Sequence, residues 1–211
     1  MKKPIGILGG TFDPVHFGHL RMALELREAL QLERVHLTPC YEPVHRKMPA
    51  ASAADRLAMV ELAIEEGTGL YADPREIQRK GPSYFIDTLH SFRQDFPKTP
   101  LCLLIGIDAF LGFKTWRKWE EILDQMHIVL THRPQYILPE SGEIAALISE
   151  RLQPNAQFIH QQMAGGILLK AITALEISAS DIRKQFAIGG DPRYLLPNRV
   201  YEYIKQRKIY S

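Results

Sequence analysis

The sequence predicts an α/β fold built on a doubly wound, mostly parallel sheet. Short apolar runs alternate with amphipathic segments along most of the 211 residues, which is the pattern of strand and helix units in a parallel sheet. A glycine-rich loop follows the first apolar run and opens a helix. The hydrophobic fraction is 45%, enough for one substantial core. The length therefore suits a single compact domain over residues 1–211.

The first 66 residues contain two strand signals, two helix signals and one long loop. Ser52 with Asp55 makes a helix start, and three prolines mark the preceding segment as a surface loop. We expect, in order, a strand over residues 5–8, a helix from about Gly18, a strand over 34–38, a loop over 39–51 and a helix from Ser52 towards Glu66.

The alternation continues beyond residue 66. We expect strands over 70–72, 101–105, 127–130 and 156–160, a helix over 83–96, and two helices after Ser178 and Asp191. The helices from about residue 178 should pack on the same domain. In a doubly wound sheet, ligands bind at the carboxyl ends of the strands. That rule points to the loops after the first strand, the second strand and Ile105.

Composition excludes several classes of protein. The formal net charge is +2, so a protein that binds nucleic acid through many phosphate contacts is not indicated. The basic run at Lys205, Arg207 and Lys208 suits a helix end, where cations oppose the dipole. Cys40 and Cys102 form no metal or disulfide pattern. With no export signal and no membrane span, we expect a cytoplasmic location; nothing in the sequence indicates an oligomeric state.

The strongest chemical signal is the string GGTFDPVHFGH at residues 9–19. Gly9 and Gly10 allow a tight turn and a close backbone approach to a ligand, and the helix that follows offers unpaired N–H groups to phosphate. His16 and His19 are three residues apart at a helix start, so both rings can reach the same phosphate as hydrogen-bond donors. The string lacks the ending of a Walker loop and is not G-x-G-x-x-G.

A second anion-binding signal is ISASDIR at residues 177–183. Ser178 or Ser180 can cap a helix whose first turn faces a phosphate. Arg183 can reach the same anion through its fork of donors. This motif is weak alone, because a serine-capped helix with a nearby arginine is common, but it is strong when paired with the first.

The two strings resemble the GGTFDPxHxGH and ISSTxIR motifs of the nucleotidyltransferase superfamily, and specifically of bacterial nicotinate-nucleotide adenylyltransferases. The resemblance implies a Rossmann-like nucleotidyltransferase fold. It also implies in-line attack by the phosphate of nicotinate mononucleotide on the α-phosphorus of ATP, with pyrophosphate leaving and Mg²⁺ arriving with the nucleotide. His16, His19 and Arg183 would be the catalytic residues. The implied ATP-binding residues are Gly9, Gly10, Thr11, Phe12, His16, His19, Gly106, Asp108, Ile177, Ser180 and Arg183.

Further segments resemble the nicotinate branch of that superfamily. His45 and Arg46 would hold the mononucleotide phosphate, and Trp116 would stack on the pyridine ring. The implied mononucleotide-binding residues are His45, Arg46, Ser83, Tyr84, Phe85, Thr88, Trp116 and Arg133. Four positions depart from the family pattern: Phe85 replaces Thr, Val44 replaces a second Pro, and Ala179-Ser180 replaces Ser-Thr.

Two other functions stay open at this stage. The same fold can act on nicotinamide mononucleotide or on phosphopantetheine. It can also serve as a nucleotide-binding module without turnover, since a fold does not establish a function. Offering each acceptor separately distinguishes these alternatives.

Overall fold

The computed structural model describes residues 2–45, 47–132, 138–173 and 175–211. Two predicted substrate contacts, Arg46 and Arg133, lie outside these ranges. The strands are β1 Ile5–Gly10, β2 Arg34–Pro39, β3 Glu42–Pro43, β4 Leu70–Ala72, β5 Pro82–Ser83, β6 Leu101–Gly106, β7 His127–His132 and β8 Ile167–Ala171. The helices are α1 Phe17–Ala29, α2 Ala53–Ala63, α3 Arg75–Arg79, α4 Phe85–Asp95, α5 Ile107–Phe110, α6 Trp119–Gln125, α7 Glu143–Arg151, α8 Phe158–Gln161, α9 Ala179–Ala187 and α10 Asn198–Arg207, with a 3₁₀ turn over Phe113–Thr115.

Six of the strands form one parallel sheet in the order β4-β2-β1-β6-β7-β8. From β1 the chain builds outwards through β2 and β4, and from β6 it builds in the opposite direction through β7 and β8. The carboxyl ends of β1 and β6 therefore flank the point where the strand order reverses, which is where doubly wound sheets bind ligands. The predicted α/β fold class is confirmed.

Both faces of the sheet are covered, which explains why its strands read as continuous apolar runs. On one face the core includes Leu26 of α1, Met59 of α2, and Ile182 and Ile204 from α9 and α10. The other core contains residues of α4 to α7, such as Leu89. The two C-terminal helices therefore pack on the same face as α1.

The basic C-terminal residues make contacts within the chain. The Nε atom of Arg207 lies 2.9 Å from Oδ1 of Asp55, and the Lys205 ammonium lies 5.4 Å from the ring centre of Tyr201. Within the described part of the chain, no helix combines the length and the apolar character needed to cross a bilayer.

One predicted strand is wrong. Residues 156–160 were expected to be extended, but Phe158–Gln161 is a single helical turn. The Asn155 side chain accepts a hydrogen bond from the backbone N–H of Gln157 at 3.0 Å and so turns the chain into that helix. The strand lies later, at Ile167–Ala171, and pairs with β7.

Two predicted helices have different bounds from those expected. The helix after Ser52 ends at Ala63 instead of continuing towards Glu66, because Ile64 is extended at φ −94° and ψ 126°. The helix expected over 83–96 begins at Phe85, since Pro82–Ser83 pairs with Glu42–Pro43 as a two-stranded parallel ribbon. That ribbon also gives the predicted 39–51 loop a fixed anchor.

Candidate active site

The glycine-rich loop leaves the carboxyl end of β1 at the point where the strand order reverses. A Cβ atom added at Gly9 would meet no other atom within 4 Å, so the backbone there is open to an approaching ligand. At Gly10 an added Cβ would lie 3.1 Å from the Phe12 ring. Phe12 turns back under the loop at φ +49° and is 2% exposed. Only the backbone of Phe12 is therefore available to ATP.

The two histidines of the first motif are stacked at the start of α1. Their ring centroids are 3.8 Å apart at an interplanar angle of 30°. The backbone N–H of His16 donates to Nδ1 of His19 at 3.3 Å, and the edge of the Phe12 ring packs against His19. A Cβ at Gly18 would lie 3.0 Å from the His16 ring. The glycine between the histidines thus permits this arrangement.

His16 is neutral at physiological pH. The side chain is buried, and burial lowers its pKa to about 4. Its Nδ1 atom is buried and makes no hydrogen bond with another described residue. A neutral imidazole keeps one N–H donor without adding a buried charge. His16 can therefore offer a hydrogen bond to phosphate in a site already desolvated.

The burial of His16 predicts acid sensitivity of the fold. Between pH 6.5 and about 4 the unfolded imidazole binds a proton that the folded one does not, so stability falls as the pH is lowered through this window. At the acid end of this window, His16 lowers the free energy of unfolding by about 3 kcal/mol relative to neutral pH. Urea unfolding at several pH values measures it. His16→Asn should flatten the slope, and an equal slope in the variant would contradict the assignment. Burial also lowers the pKa of His127, and the effect of His127 on stability is the same in the wild type and in His16→Asn.

The second motif meets the first across Gly18. A Cβ added at Gly18 would lie 3.9 Å from Cβ of Ile177. Ser178 occupies the N-cap position of α9, but its side chain makes no capping hydrogen bond. The Ser180 hydroxyl instead accepts from Nη2 of Arg183 at 3.3 Å. Ser178 therefore does not cap α9 with its side chain. Ser180, in the first turn of α9, holds the Arg183 side chain by a hydrogen bond.

Arg183 bridges α9 and the glycine-rich loop. Its Nη1 atom donates to the backbone oxygen of Asp13 at 2.6 Å and lies 3.6 Å from Oδ2 of the same residue. The side chain is 31% exposed. Since a guanidinium has five N–H donors, others remain available to a phosphate. The structure thus brings His16, His19 and Arg183 to one region.

Gly106 and Asp108, two of the predicted ATP-binding residues, lie at the carboxyl end of β6, the strand next to β1. Gly106 ends β6 and precedes α5, whose first turn contains the exposed Asp108. A Cβ at Gly106 would lie 2.5 Å from Oδ1 of Asp108. The carboxylate therefore folds over the glycine, where it can accept hydrogen bonds from ribose hydroxyls.

Aromatic side chains come together at the predicted mononucleotide-binding residues. The rings of His45 and Trp116 are almost parallel, at 12°, with centroids 6.2 Å apart. Phe85 packs against Trp116 at 5.7 Å, and the Arg117 guanidinium lies 5.0 Å from the ring centre of Tyr84. Residues from the loop after β2, the start of α4 and the segment after the 3₁₀ turn therefore come together here.

Comparison with known proteins agrees with this geometry. The sequence matches the Cytidylyltransferase-like family over residues 7–185. The chain is 45% identical to a protein of Aeromonas hydrophila named "Probable nicotinate-nucleotide adenylyltransferase", with 100% of this chain and 98% of that protein aligned. The chain belongs to the nicotinate-nucleotide adenylyltransferase family.

Other members of the family are similarly close. A protein of Marinobacter nauticus with the same name is 45% identical, over 97% of this chain and 95% of its own length. Among solved structures, the fold resembles Plasmodium falciparum nicotinic acid mononucleotide adenylyltransferase complexed with NaAD. That match has a TM-score of 0.73 at 15% identity and covers 99% of this chain and 98% of the other.

Sequence reasoning missed a buried cation beneath the glycine-rich loop. Arg56 of α2 is 1% exposed. It donates to the backbone oxygen of Thr11 at 2.8 Å and to that of Tyr41 at 3.0 Å. Among the described residues it forms no salt bridge, and its Nε atom is buried without a partner. Arg56 thus joins the loops after β1 and β2 and places an uncompensated positive charge below the region assigned to the phosphates.

Two predicted mononucleotide contacts have structural partners instead of open surroundings. Thr88 is fully buried; its hydroxyl donates to Glu76 at 2.5 Å and accepts from Arg79. Ser83 accepts from the backbone N–H of Tyr41 at 2.8 Å. The Thr88 hydroxyl is thus engaged within the protein, and a contact of Thr88 with the mononucleotide stays a prediction. Both residues hold the segment that carries Tyr84 and Phe85.

Proposed function

We propose that the chain joins ATP and nicotinate mononucleotide to give deamido-NAD and pyrophosphate, a step of NAD biosynthesis. The observation that carries the proposal is the meeting of the two motifs at the reversal point of the sheet, where Ile177 and Arg183 approach the loop that holds His16. The full-length relationship to the family supports the same reaction. The two unpaired thiols, Cys40 and Cys102, suit a reducing compartment, and we place the activity in the cytoplasm.

The reaction requires two polyanions to be held in line. ATP would lie along the loop from Gly9, with its phosphates near His16, His19 and Arg183, and the mononucleotide phosphate would attack the α-phosphorus. His16 contributes an N–H donor without charge, whereas Arg183 contributes charge to the departing pyrophosphate. The adenylyl group passes directly between the substrates, so the protein positions them and stabilises developing charge.

The aromatic side chains around Trp116 suit the pyridine ring. A flat ring in contact with two parallel rings needs about 7 Å between them, given carbon contacts near 3.5 Å. The centroids of the His45 and Trp116 rings are 6.2 Å apart, so the planes lie no farther apart than this, and His45 is exposed. Displacement of His45 would admit the pyridine ring against the Trp116 indole. This arrangement supports a role for both residues in binding the mononucleotide.

Magnesium would arrive with the nucleotide. The described residues contain no group of three or more His, Cys, Asp or Glu side chains able to hold a metal ion. Mg²⁺ is commonly held by substrate phosphates and water with few protein ligands, which supports an ion carried by ATP. When bound, the ion neutralises charge on the phosphate oxygens.

Pyrophosphate release from the purified chain tests the proposal. ATP and Mg²⁺ are supplied with nicotinate mononucleotide, nicotinamide mononucleotide or phosphopantetheine in separate reactions. We expect turnover with the first and at least about tenfold lower kcat/KM with the second, because the similar proteins are named for the nicotinate nucleotide and a carboxylate differs from an amide in charge and in hydrogen-bond donors.

The other outcomes identify the alternatives. Turnover with another acceptor alone would keep adenylyl transfer but contradict the assigned substrate. Binding of ATP without turnover of any acceptor would indicate a nucleotide-binding module.

A further inference from the structure

Asp13 of the first motif is a hydrogen-bonding centre within the protein. Its Oδ2 atom accepts from the backbone N–H of Ala50 at 2.8 Å, and Oδ1 accepts from that of Ala51 at 3.0 Å. Oδ1 also accepts from the Tyr210 hydroxyl at 2.6 Å. The side chain is 4% exposed. Asp13 therefore ties the glycine-rich loop to the segment before α2 and to the C-terminal residues.

The same aspartate lies beside Arg183. The guanidinium donates to the Asp13 carbonyl oxygen and lies 3.6 Å from its carboxylate. Each hydrogen bond that the carboxylate accepts from another group spreads its negative charge and weakens its hold on the guanidinium. The donors around Asp13 thus affect how freely Arg183 can turn to an incoming phosphate.

Tyr210 is well placed for this role. After α10 the chain turns through Lys208 at φ +53°, and the backbone N–H of Ile209 donates to the Ile204 oxygen at 3.0 Å. This turn directs the Tyr210 ring inwards, where it packs against Phe186 with centroids 6.2 Å apart. Burial, followed by the contact with Asp13, raises the pKa of Tyr210 above its ordinary value, so the hydroxyl keeps its proton and remains a donor.

We infer that Tyr210 is a positioning residue for the ATP phosphates. Its hydroxyl, through Asp13, holds the glycine-rich loop and leaves the Arg183 guanidinium available to the nucleotide. The phenol itself touches neither substrate. This inference rests on the proposed function only in assigning ATP to the loop; it does not depend on which acceptor is used.

The test compares two phenol deletions from the C-terminal segment. Tyr210→Phe removes the hydroxyl but keeps the ring packed on Phe186. Tyr203→Phe is the matched control, because the Tyr203 hydroxyl donates to Oδ1 of Asp55, an aspartate outside the loop, at 2.9 Å. Binding of a non-hydrolysable methylene analogue of ATP is measured by calorimetry, together with the steady-state constants for both substrates and the thermal unfolding midpoint.

We expect Tyr210→Phe to weaken binding of the analogue and lower kcat/KM for ATP by about fivefold to tenfold, while KM for nicotinate mononucleotide stays within about twofold. Tyr203→Phe should leave all three constants near the wild-type values, with a similar change in unfolding midpoint. Unchanged analogue binding in Tyr210→Phe would overturn the inference. Equal losses in both variants, following stability, would also overturn it. A wild-type chain that binds the analogue but does not use nicotinate mononucleotide would contradict the proposed function alone.

Discussion

Replacing Arg183 by glutamine is expected to lower kcat for adenylyl transfer by about a thousandfold, within the range for arginines that stabilise phosphoryl-transfer transition states. Glutamine keeps part of the length of the side chain and an N–H donor. It lacks the positive charge and the paired donors of the guanidinium. The leaving pyrophosphate gains charge during the reaction, so the loss should appear mainly in kcat. Arg183→Lys keeps the charge but loses the forked guanidinium. Its kcat should lie between those of the wild type and Arg183→Gln. Steady-state pyrophosphate release measures all three proteins.

The control for this experiment is Arg193→Gln. Arg193 is a half-exposed arginine between α9 and α10, and its guanidinium pairs with Asp191 at 2.8 Å. Its replacement should change kcat by less than about twofold, since exposed ion pairs contribute little. If Arg183→Gln and Arg193→Gln had the same kcat, Arg183 would not act on the leaving group.

Replacing His16 by asparagine is expected to lower kcat by about a hundredfold, the usual cost of losing one placed donor to developing negative charge. Asparagine is a favoured N-cap residue, so the start of α1 should persist. Because the pKa of His16 is already lowered to about 4, the wild-type rate should show no loss from His16 protonation between pH 6 and 8. Turnover is measured with both substrates saturating across that range.

His90→Asn is the matched histidine control. His90 lies on α4, and its Nε2 atom is 2.5 Å from Glu121 of α6, on a partly exposed surface. This variant should keep the wild-type rate. A His16→Asn protein with unchanged kcat would remove His16 from the catalytic assignment, whatever its effect on stability.

The sheet was predictable because burial on both faces leaves a simple sequence pattern. The strands at Ile5–Gly10 and Leu101–Gly106 appear as apolar runs followed by glycine. The strand at Ile167–Ala171 has no counterpart among the predicted strands, which place an extended segment at residues 156–160 instead. So short a segment does not reveal that Asn155 turns the chain into a helix. The edge strand Leu70–Ala72 is predicted with its bounds correct, so the failure near residue 156 reflects this local turn and not the position of the strand in the sheet.

The predicted site residues came from motifs, whereas the missed ones depend on contacts distant in sequence. Arg56 looks like a solvated residue of an amphipathic helix, yet its guanidinium is buried against Thr11, 45 positions away. Thr88 is a predicted ligand contact, and no local signal shows that Glu76 and Arg79 occupy its hydroxyl. Side-chain hydrogen bonds to distant backbone carry no periodicity, so only the folded chain reveals them.

The hydrogen bond between Tyr210 and Asp13 joins residues 197 positions apart. Chains emerge from the ribosome with the N-terminal part first, and domains begin to fold during synthesis. The glycine-rich loop can form early, together with β1 and α1, but its aspartate lacks this partner until residue 210 has left the exit tunnel. A nascent chain can therefore hold most of its sheet while its phosphate loop is still incomplete.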